Sequence, residues 1–236
     1  MHLLQSIDFL QSPEFGEKVI TLMAAFVLVL QIAMVGQRSL IMNIRVFGTQ
    51  SFLLAGIAAA IAWYNDAPHI YIAAVMTVLI KGMLVPILLE RLVDRVEIRH
   101  EIEPIVNTPL SIVISGGLTL VAYTVAESFY HPEAGPRTGP ASLGHNTLAV
   151  AISVFLIGFF MMINRRKALS QVLALLSLEN VIFLAAICLT YGMPLIVELG
   201  VFFDVLVAVL VLGILVYRIR ETFDSMDVSK LRRLRG

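Results

Sequence analysis

Four charged side chains sit in the middle of stretches built otherwise from Leu, Ile, Val, Ala and Phe. They are Lys81, Glu179, Glu198 and Asp204. The stretches are Val19–Val35, Val46–Trp63, His69–Leu89, Pro109–Ala126, Asn146–Ile163, Ala168–Thr190 and Pro194–Tyr217. Each is near the ~20 residues that a helix needs to cross the hydrocarbon core of a bilayer. They are too long and too evenly apolar for the alternating strands of a membrane barrel. Only closed barrels and helices satisfy every backbone group in lipid, so helices remain. The fold class expected is all-α: a polytopic membrane protein with seven transmembrane helices. A charge at the bilayer centre costs roughly 2.5–3.5 kcal/mol on insertion scales. Such residues therefore face a protein interior or a water-filled path, where they commonly move protons or ions.

Composition agrees with that class. Hydrophobic residues make up 58% of the 236 and charged residues 14%, against about 25% charged in a soluble domain. The formal net charge is zero, so no overall field attracts nucleic acid. The lone cysteine, Cys188, rules out an internal disulfide framework and cannot by itself hold an iron–sulfur cluster. The first residues lack a basic segment followed by an apolar run, so no cleaved signal peptide is expected. Phosphate loops, GxGxxG, HExxH and CxxC patterns are absent. The five histidines lie at termini, loops or span ends, with no pair at ligand spacing within one span. No metal site, cofactor or redox centre is expected in the chain itself.

Lysine and arginine indicate orientation. The loops after the first, third and fifth spans and the C-terminal tail carry 14 of them, from Arg38 to Arg235. The opposite side carries only Lys18 and Arg137. This split predicts an outside N-terminus and a cytoplasmic C-terminus, which requires an odd number of spans. Two loops exceed simple connections. Glu90–Thr108 is a cytoplasmic run of mixed charge suited to a surface helix, and Ser128–Gly144 is an outside loop rich in Pro and Gly, expected to be irregular.

Lys81 falls twelve residues after His69, too deep for its stem to reach either surface easily. It is locked in a structural ion pair, tuned as a proton carrier by nearby carboxylates, or nearer a span end than these limits place it. Pro86 lacks an N–H and frees the carbonyl of Gly82, which predicts a kink beside the charge. Glu179 and Asp204 lie at a similar mid-depth, and Glu198 about 9 Å nearer the outside than Asp204. Glu198 and Asp204 point about 120° apart around their helix, so they cannot both face one partner. The alternative for these carboxylates is hydrogen-bonded glue between helices. Gln31, Gln50, Gln171, Ser177, Asn180 and Tyr123 read as interhelical hydrogen bonds, and Ser115, Gly116 and Gly117 as close packing.

The last third carries an ordered set: the turn NRRKAL, the helix segment LLSLEN, a second acidic helix and the tail MDVSKLRRLRG. It resembles the NuoK subunit of respiratory complex I and the MrpC subunit of multisubunit cation antiporters. Those chains have three spans with a glutamate in each of the last two. Glu179 matches the first glutamate, and Asp204 matches the second with aspartate in its place. The loop between the acidic helices is shorter here, and Phe183 replaces an asparagine expected four residues after the glutamate.

The whole chain is more similar to the hydrogenase-4 component E (HyfE) family, through KGMLVP at Lys81–Pro86, LEN at Glu179 and VELG…D at Val197–Asp204. That resemblance implies an N-terminal membrane block of four helices with their loops over 1–145. A NuoK/MrpC-like three-helix unit with a basic cytoplasmic tail follows over 146–236. It also implies a membrane subunit of a group 4 energy-converting [NiFe] hydrogenase or formate hydrogenlyase-type complex in a bacterial or archaeal cytoplasmic membrane. Its partners would be antiporter-like membrane subunits and a cytoplasmic redox arm holding the iron–sulfur clusters and the [NiFe] centre. Lys81, Glu179, Glu198 and Asp204 would line a proton or Na⁺ path in a subunit without its own active site. Charges about 4 Å apart interact by about 4 kcal/mol at an effective dielectric of 20, enough to redistribute protons among them. An Mrp-type antiporter subunit and a structural scaffold are the alternatives.

Overall fold

Backbone groups without water around them must bond within their own segment, and the described chain meets that demand with helices. The computed structural model describes residues 13–64, 67–95, 104–128 and 140–190. Helix α1 is Pro13–Gly36, α2 is Leu40–Tyr64 and α3 is Pro68–Thr77. A π-helical segment, π1, follows directly over Val78–Leu84 and leads into α4, Val85–Arg95. Then come α5, Thr108–Ser128, α6, Pro140–Asn164, and α7, Ala168–Thr190.

Among the described residues, six helical segments are long and apolar enough to cross a membrane: Phe15–Gly36, Leu40–Tyr64, Pro68–Val93, Thr108–Ser128, Thr147–Asn164 and Leu169–Ile187. They coincide with the first six expected spans, and the chain is a multi-pass membrane protein. The seventh expected span, with Glu198 and Asp204, lies outside the described residues, as does the basic tail. The outward surface is apolar, as a lipid-facing surface must be. Leu22, Phe26, Val113, Leu120 and Ile182 are among the exposed large side chains.

Local sequence explains most helix ends. Ser39 precedes α2 and its hydroxyl accepts from the backbone N–H of Met42 at 3.4 Å, an N-cap. Pro68 and Pro140 open their helices, where a missing N–H costs nothing. The helix at Pro140 begins inside the stretch expected to be an irregular outside loop. On the other side, Glu90–Arg95 continues α4 instead of entering the loop, and Arg45 rides on α2, 3.0 Å from Glu90.

The third span departs most from expectation. It is not one continuous α-helix but an α–π–α run, with an irregularity one turn before Pro86. The N–H of Val85 bonds the carbonyl of Ile80, five residues back. Pro86 withdraws a donor at this point, and the widened turn accommodates the break in the ladder. Two glycines let α2 lie against it. A Cβ at Gly82 would stand 3.3 Å from the Phe52 ring, and one at Gly48 3.3 Å from Pro86 Cγ. Gly82→Val and Gly48→Val are therefore expected to push α2 away from π1, with an overpacking cost of about 1–3 kcal/mol. Gly116→Val on α5, where nothing lies within 4 Å, is the control expected to be near neutral. Thermal loss of the chain in membranes measures both, and equal melting of all three variants would refute the interlock.

The buried apolar side chains form two clusters, one toward each end of the bundle. The first joins Ile20, Ala24 and Val27 of α1 to Leu54, Ile57 and Ile61 of α2, Ile70 of α3, and Val181, Leu184 and Ile187 of α7. The second joins Met34 of α1 to Ile44 and Phe47 of α2, Val85 and Leu89 of α4, and Leu173 and Leu176 of α7. Four successive stretches fall between them: Leu28–Ala33, Gly48–Leu53, Val75–Leu84 and Ser177–Asn180. Those stretches hold the buried polar residues discussed next.

At one end of the bundle, the turn between α6 and α7 ties three segments together. The buried Arg165 places Nη2 3.1 Å from the carbonyl oxygens of Met34, Val35 and Gln37, at the C-terminus of α1. Asn164 accepts from the N–H of Val106 through Oδ1 at 2.7 Å, and its Nδ2 donates to the hydroxyl of Ser111 at 3.1 Å. The N–H of Ile105 bonds the carbonyl of Asn164.

Candidate ion-path site

A layer of polar side chains separates the two apolar clusters at mid-height. Gln31 enters it from α1, Gln50 and Ser51 from α2, Thr77 and Lys81 from α3 and π1, and Ser177, Glu179 and Asn180 from α7. All of them are buried except Glu179, whose side chain is 12% exposed. The layer runs across the bundle, so in a bilayer it lies in the membrane plane.

Its centre is an ion pair. Lys81 Nζ lies 3.6 Å from Glu179 Oε1, and the lysine side chain is only 2% exposed. The same Nζ stands 5.7 Å from the centroid of the Phe183 ring. Glu179 and Phe183 are four residues apart and so share one face of α7. The ammonium is held between a carboxylate and an aromatic face, both favourable to a cation. Phe183 is the position where the NuoK resemblance predicted an asparagine. The departure brings a cation–π contact to Lys81. The π turn matters here, because removing the extra residue of the wide turn would rotate Lys81 relative to the segment before it by roughly one residue's arc, about 100°.

A hydrogen-bonded group adjoins the pair. Gln50 Nε2 donates to Gln31 Oε1 at 3.1 Å and to the carbonyl of Val27 at 3.4 Å. The Ser177 hydroxyl lies against the same Gln31 oxygen, joining α7 to α1 and α2. Asn180 Nδ2 donates to the Ser51 hydroxyl at 3.1 Å, and that hydroxyl donates to the carbonyl of Phe47 at 3.0 Å. The expected interhelical bonds of Gln31, Gln50, Ser177 and Asn180 are present and belong to one layer. Two other expected members do not join it. Gln171 donates to the carbonyl of Arg165 near the start of α7, and Tyr123 is exposed on α5.

Of the four charges picked out by sequence, the structure brings Lys81 and Glu179 together. Glu198 and Asp204 lie outside the described residues. Sequence reasoning missed Thr77, Ser51 and Phe183 as parts of the site. The signal was available as spacing: Thr77 precedes Lys81 by four residues, and Phe183 follows Glu179 by four.

No family model matches the chain, and no solved structure matches it. It is 23% identical over 223 residues to hydrogenase-4 component E of Escherichia coli K12, an alignment covering 94% of this chain and 99% of that protein. The Shigella flexneri protein of the same name aligns equally well. The chain is also 36% identical over 206 residues to the uncharacterized protein Rv0085 of Mycobacterium tuberculosis, covering 86% of this chain and 90% of that one. The resemblance to hydrogenase-4 component E is thus a family-level one over nearly the whole length, and the chain belongs to the family of Rv0085.

Proposed function

We propose that this protein is a membrane subunit of a hydrogenase-type, complex I-like assembly in a bacterial or archaeal cytoplasmic membrane. In this reading it carries part of a proton or Na⁺ path driven by redox chemistry in other subunits. The observation that carries the reading is the buried Lys81–Glu179 pair, seated on a π turn within a polar layer between two apolar clusters. A charge pair that only fastened helices would need neither the wide turn nor a polar layer extending through four helices. Burying such groups is costly in a membrane, and they commonly mark ion routes. The layer lies across the bundle, which favours movement in the membrane plane toward a neighbouring subunit over a staircase through the bilayer. Glu198 and Asp204 on the seventh expected span would continue that route, with the N-terminus outside and the C-terminus cytoplasmic. Iron–sulfur clusters and the nickel–iron centre would reside in partner subunits.

Tagging the chain in its native host and identifying what co-purifies in mild detergent tests the assembly. Antiporter-like membrane subunits together with a soluble redox arm are the expected partners. Antiporter subunits without any redox protein would replace this reading with the Mrp-type one. A stable, monodisperse single chain would overturn both. Topology has its own check: a reporter that is fluorescent only in the cytoplasm is expected to shine when fused after Gly236. Activity there of a reporter that works only outside the membrane would refute the orientation.

A further inference from the structure

The geometry points to a water-binding site in the amide and hydroxyl cluster formed by Gln31, Gln50, Ser51, Ser177 and Asn180, extending the Lys81–Glu179 pair toward α1. All five side chains are fully buried. Two backbone carbonyls set the direction of every bond among them, because a carbonyl can only accept. The carbonyl of Val27 requires Gln50 to present Nε2, and that nitrogen also meets Gln31 Oε1. Ser177 meets the same oxygen. The amide oxygen of Gln31 is thus turned into the cluster, and its Nε2 is left with no acceptor among the described residues.

The second carbonyl acts in the same way. Phe47 takes the one hydroxyl proton of Ser51, so Ser51 Oγ must accept from Asn180 Nδ2. Asn180 Oδ1 is then left with no donor among the described residues. Turning either amide over does not repair the pattern. A reversed Gln31 would set its NH₂ against that of Gln50. A reversed Asn180 would set its oxygen against a hydroxyl oxygen whose proton is committed.

Among the described residues the cluster therefore leaves Gln31 Nε2 and Asn180 Oδ1 over, both inside the protein, and the single hydroxyl proton of Ser177 stands between Gln31 Oε1 and Gln50 Oε1. Thr77 Oγ1, one turn before Lys81, is a further buried polar atom with no partner among the described residues. Buried polar atoms of this kind are the usual seats of internal water. A mixed set of donors and acceptors suits water, whereas a bare hard cation takes oxygen ligands alone and would be repelled by the Gln31 N–H. Asn180 follows Glu179 directly on one α-helix, so water held at its Oδ1 lies at about the height of the carboxylate. Gln31 stands on α1 and meets Ser177 of α7, so the branch crosses the bundle within the polar layer. Its role as a proton relay rests on the conduction reading above, but the water site itself does not.

Electron cryomicroscopy of the assembled complex in lipid nanodiscs, at a resolution that shows ordered water, tests the site. Water density is expected at about 3 Å from Asn180 Oδ1 and from Gln31 Nε2. Gln31→Leu is expected to lose the second peak and to lower ion transport per electron severalfold. Ser177→Ala, a milder change should Gln31→Leu fail to assemble, is expected to keep the peak at Asn180 and weaken that at Gln31. Well-ordered side chains with no solvent density at either atom would overturn the site, even where Glu179→Gln abolishes transport and the conduction reading stands. Water at both atoms with transport unchanged in Gln31→Leu would overturn the relay role.

Discussion

Glu179→Gln is expected to leave the complex assembled and turning over while coupled ion movement collapses. The substitution preserves shape but removes the negative charge 3.6 Å from Lys81 Nζ. At that distance the pair is worth about 4 kcal/mol at an effective dielectric of 20. Since about 1.4 kcal/mol is a factor of ten, losing even a third of this bias would change an equilibrium governed by the pair roughly tenfold. Lys81→Met should act on the same quantity from the other side, with the milder effect on assembly. A carboxyl group can protonate in place and is far cheaper to bury neutral than charged. The decisive reading comes from the double variant. If the two groups work as one unit, Lys81→Met combined with Glu179→Gln should lower transport no further than the worse single change. The measurement is ion transport per electron in vesicles holding equal amounts of each assembled variant. Unchanged coupling in both single variants would reduce the pair to a structural fastening.

Phe183→Leu separates attraction by charge from attraction by the ring. It removes a cation–π contact at 5.7 Å, worth about 0.5–2 kcal/mol. The expected loss of coupling is therefore smaller than for Glu179→Gln.

How much of this could be read from the sequence depends on which interactions act along one helix and which act between helices. Six of the seven apolar stretches become helices close to their expected limits, because the bilayer sets their length and leaves the backbone no other solution. Lys81 and Glu179 were conspicuous because a charge in an apolar run is costly wherever the helix points. Their contact was not legible, since one sequence does not set the rotation of one helix against another. For the same reason Gln31, Gln50, Ser177 and Asn180 read as separate hydrogen bonds. Their sharing of one height follows from how the antiparallel helices are staggered. The π turn was half legible: Pro86 announced a break, but a lost donor is compatible with a kink or with a wider turn, and only packing against Gly48 and Phe52 distinguishes them. The burial of Arg165 is hidden for a different reason. In NRRKAL this arginine is indistinguishable from Arg166 and Lys167, which are exposed and half-buried, and all three carry the same loop charge.

Arg165→Leu is accordingly expected to damage folding more than any other single loss of an arginine among the described residues. The side chain is 2% exposed although it lies in a turn between spans. Its Nη2 serves three carbonyl oxygens at the end of α1, where a helix lacks internal partners and its dipole favours a cation. Burial pushes its pKa below the ordinary arginine value, yet a guanidinium stays charged, so these bonds persist at any workable pH. Hydrogen bonds to a charged group contribute about 1.5–3 kcal/mol each, and leaving buried carbonyls without a donor adds to the loss. Arg165→Leu should therefore cost several kcal/mol, enough to deplete a protein with ordinary reserves of stability. Arg165→Lys should recover part of it, keeping the charge but not the fork of donors. Arg166→Leu, at the exposed neighbouring position, is the control, because it removes the same charge from the same loop. The amounts of each variant in membranes, followed over time after synthesis is stopped, provide the comparison. Equal loss for Arg165→Leu and Arg166→Leu would mean that the turn acts through its charge alone; survival of Arg166→Leu with rapid loss of Arg165→Leu would establish the buried guanidinium as the clasp joining α1 to the α6–α7 hairpin.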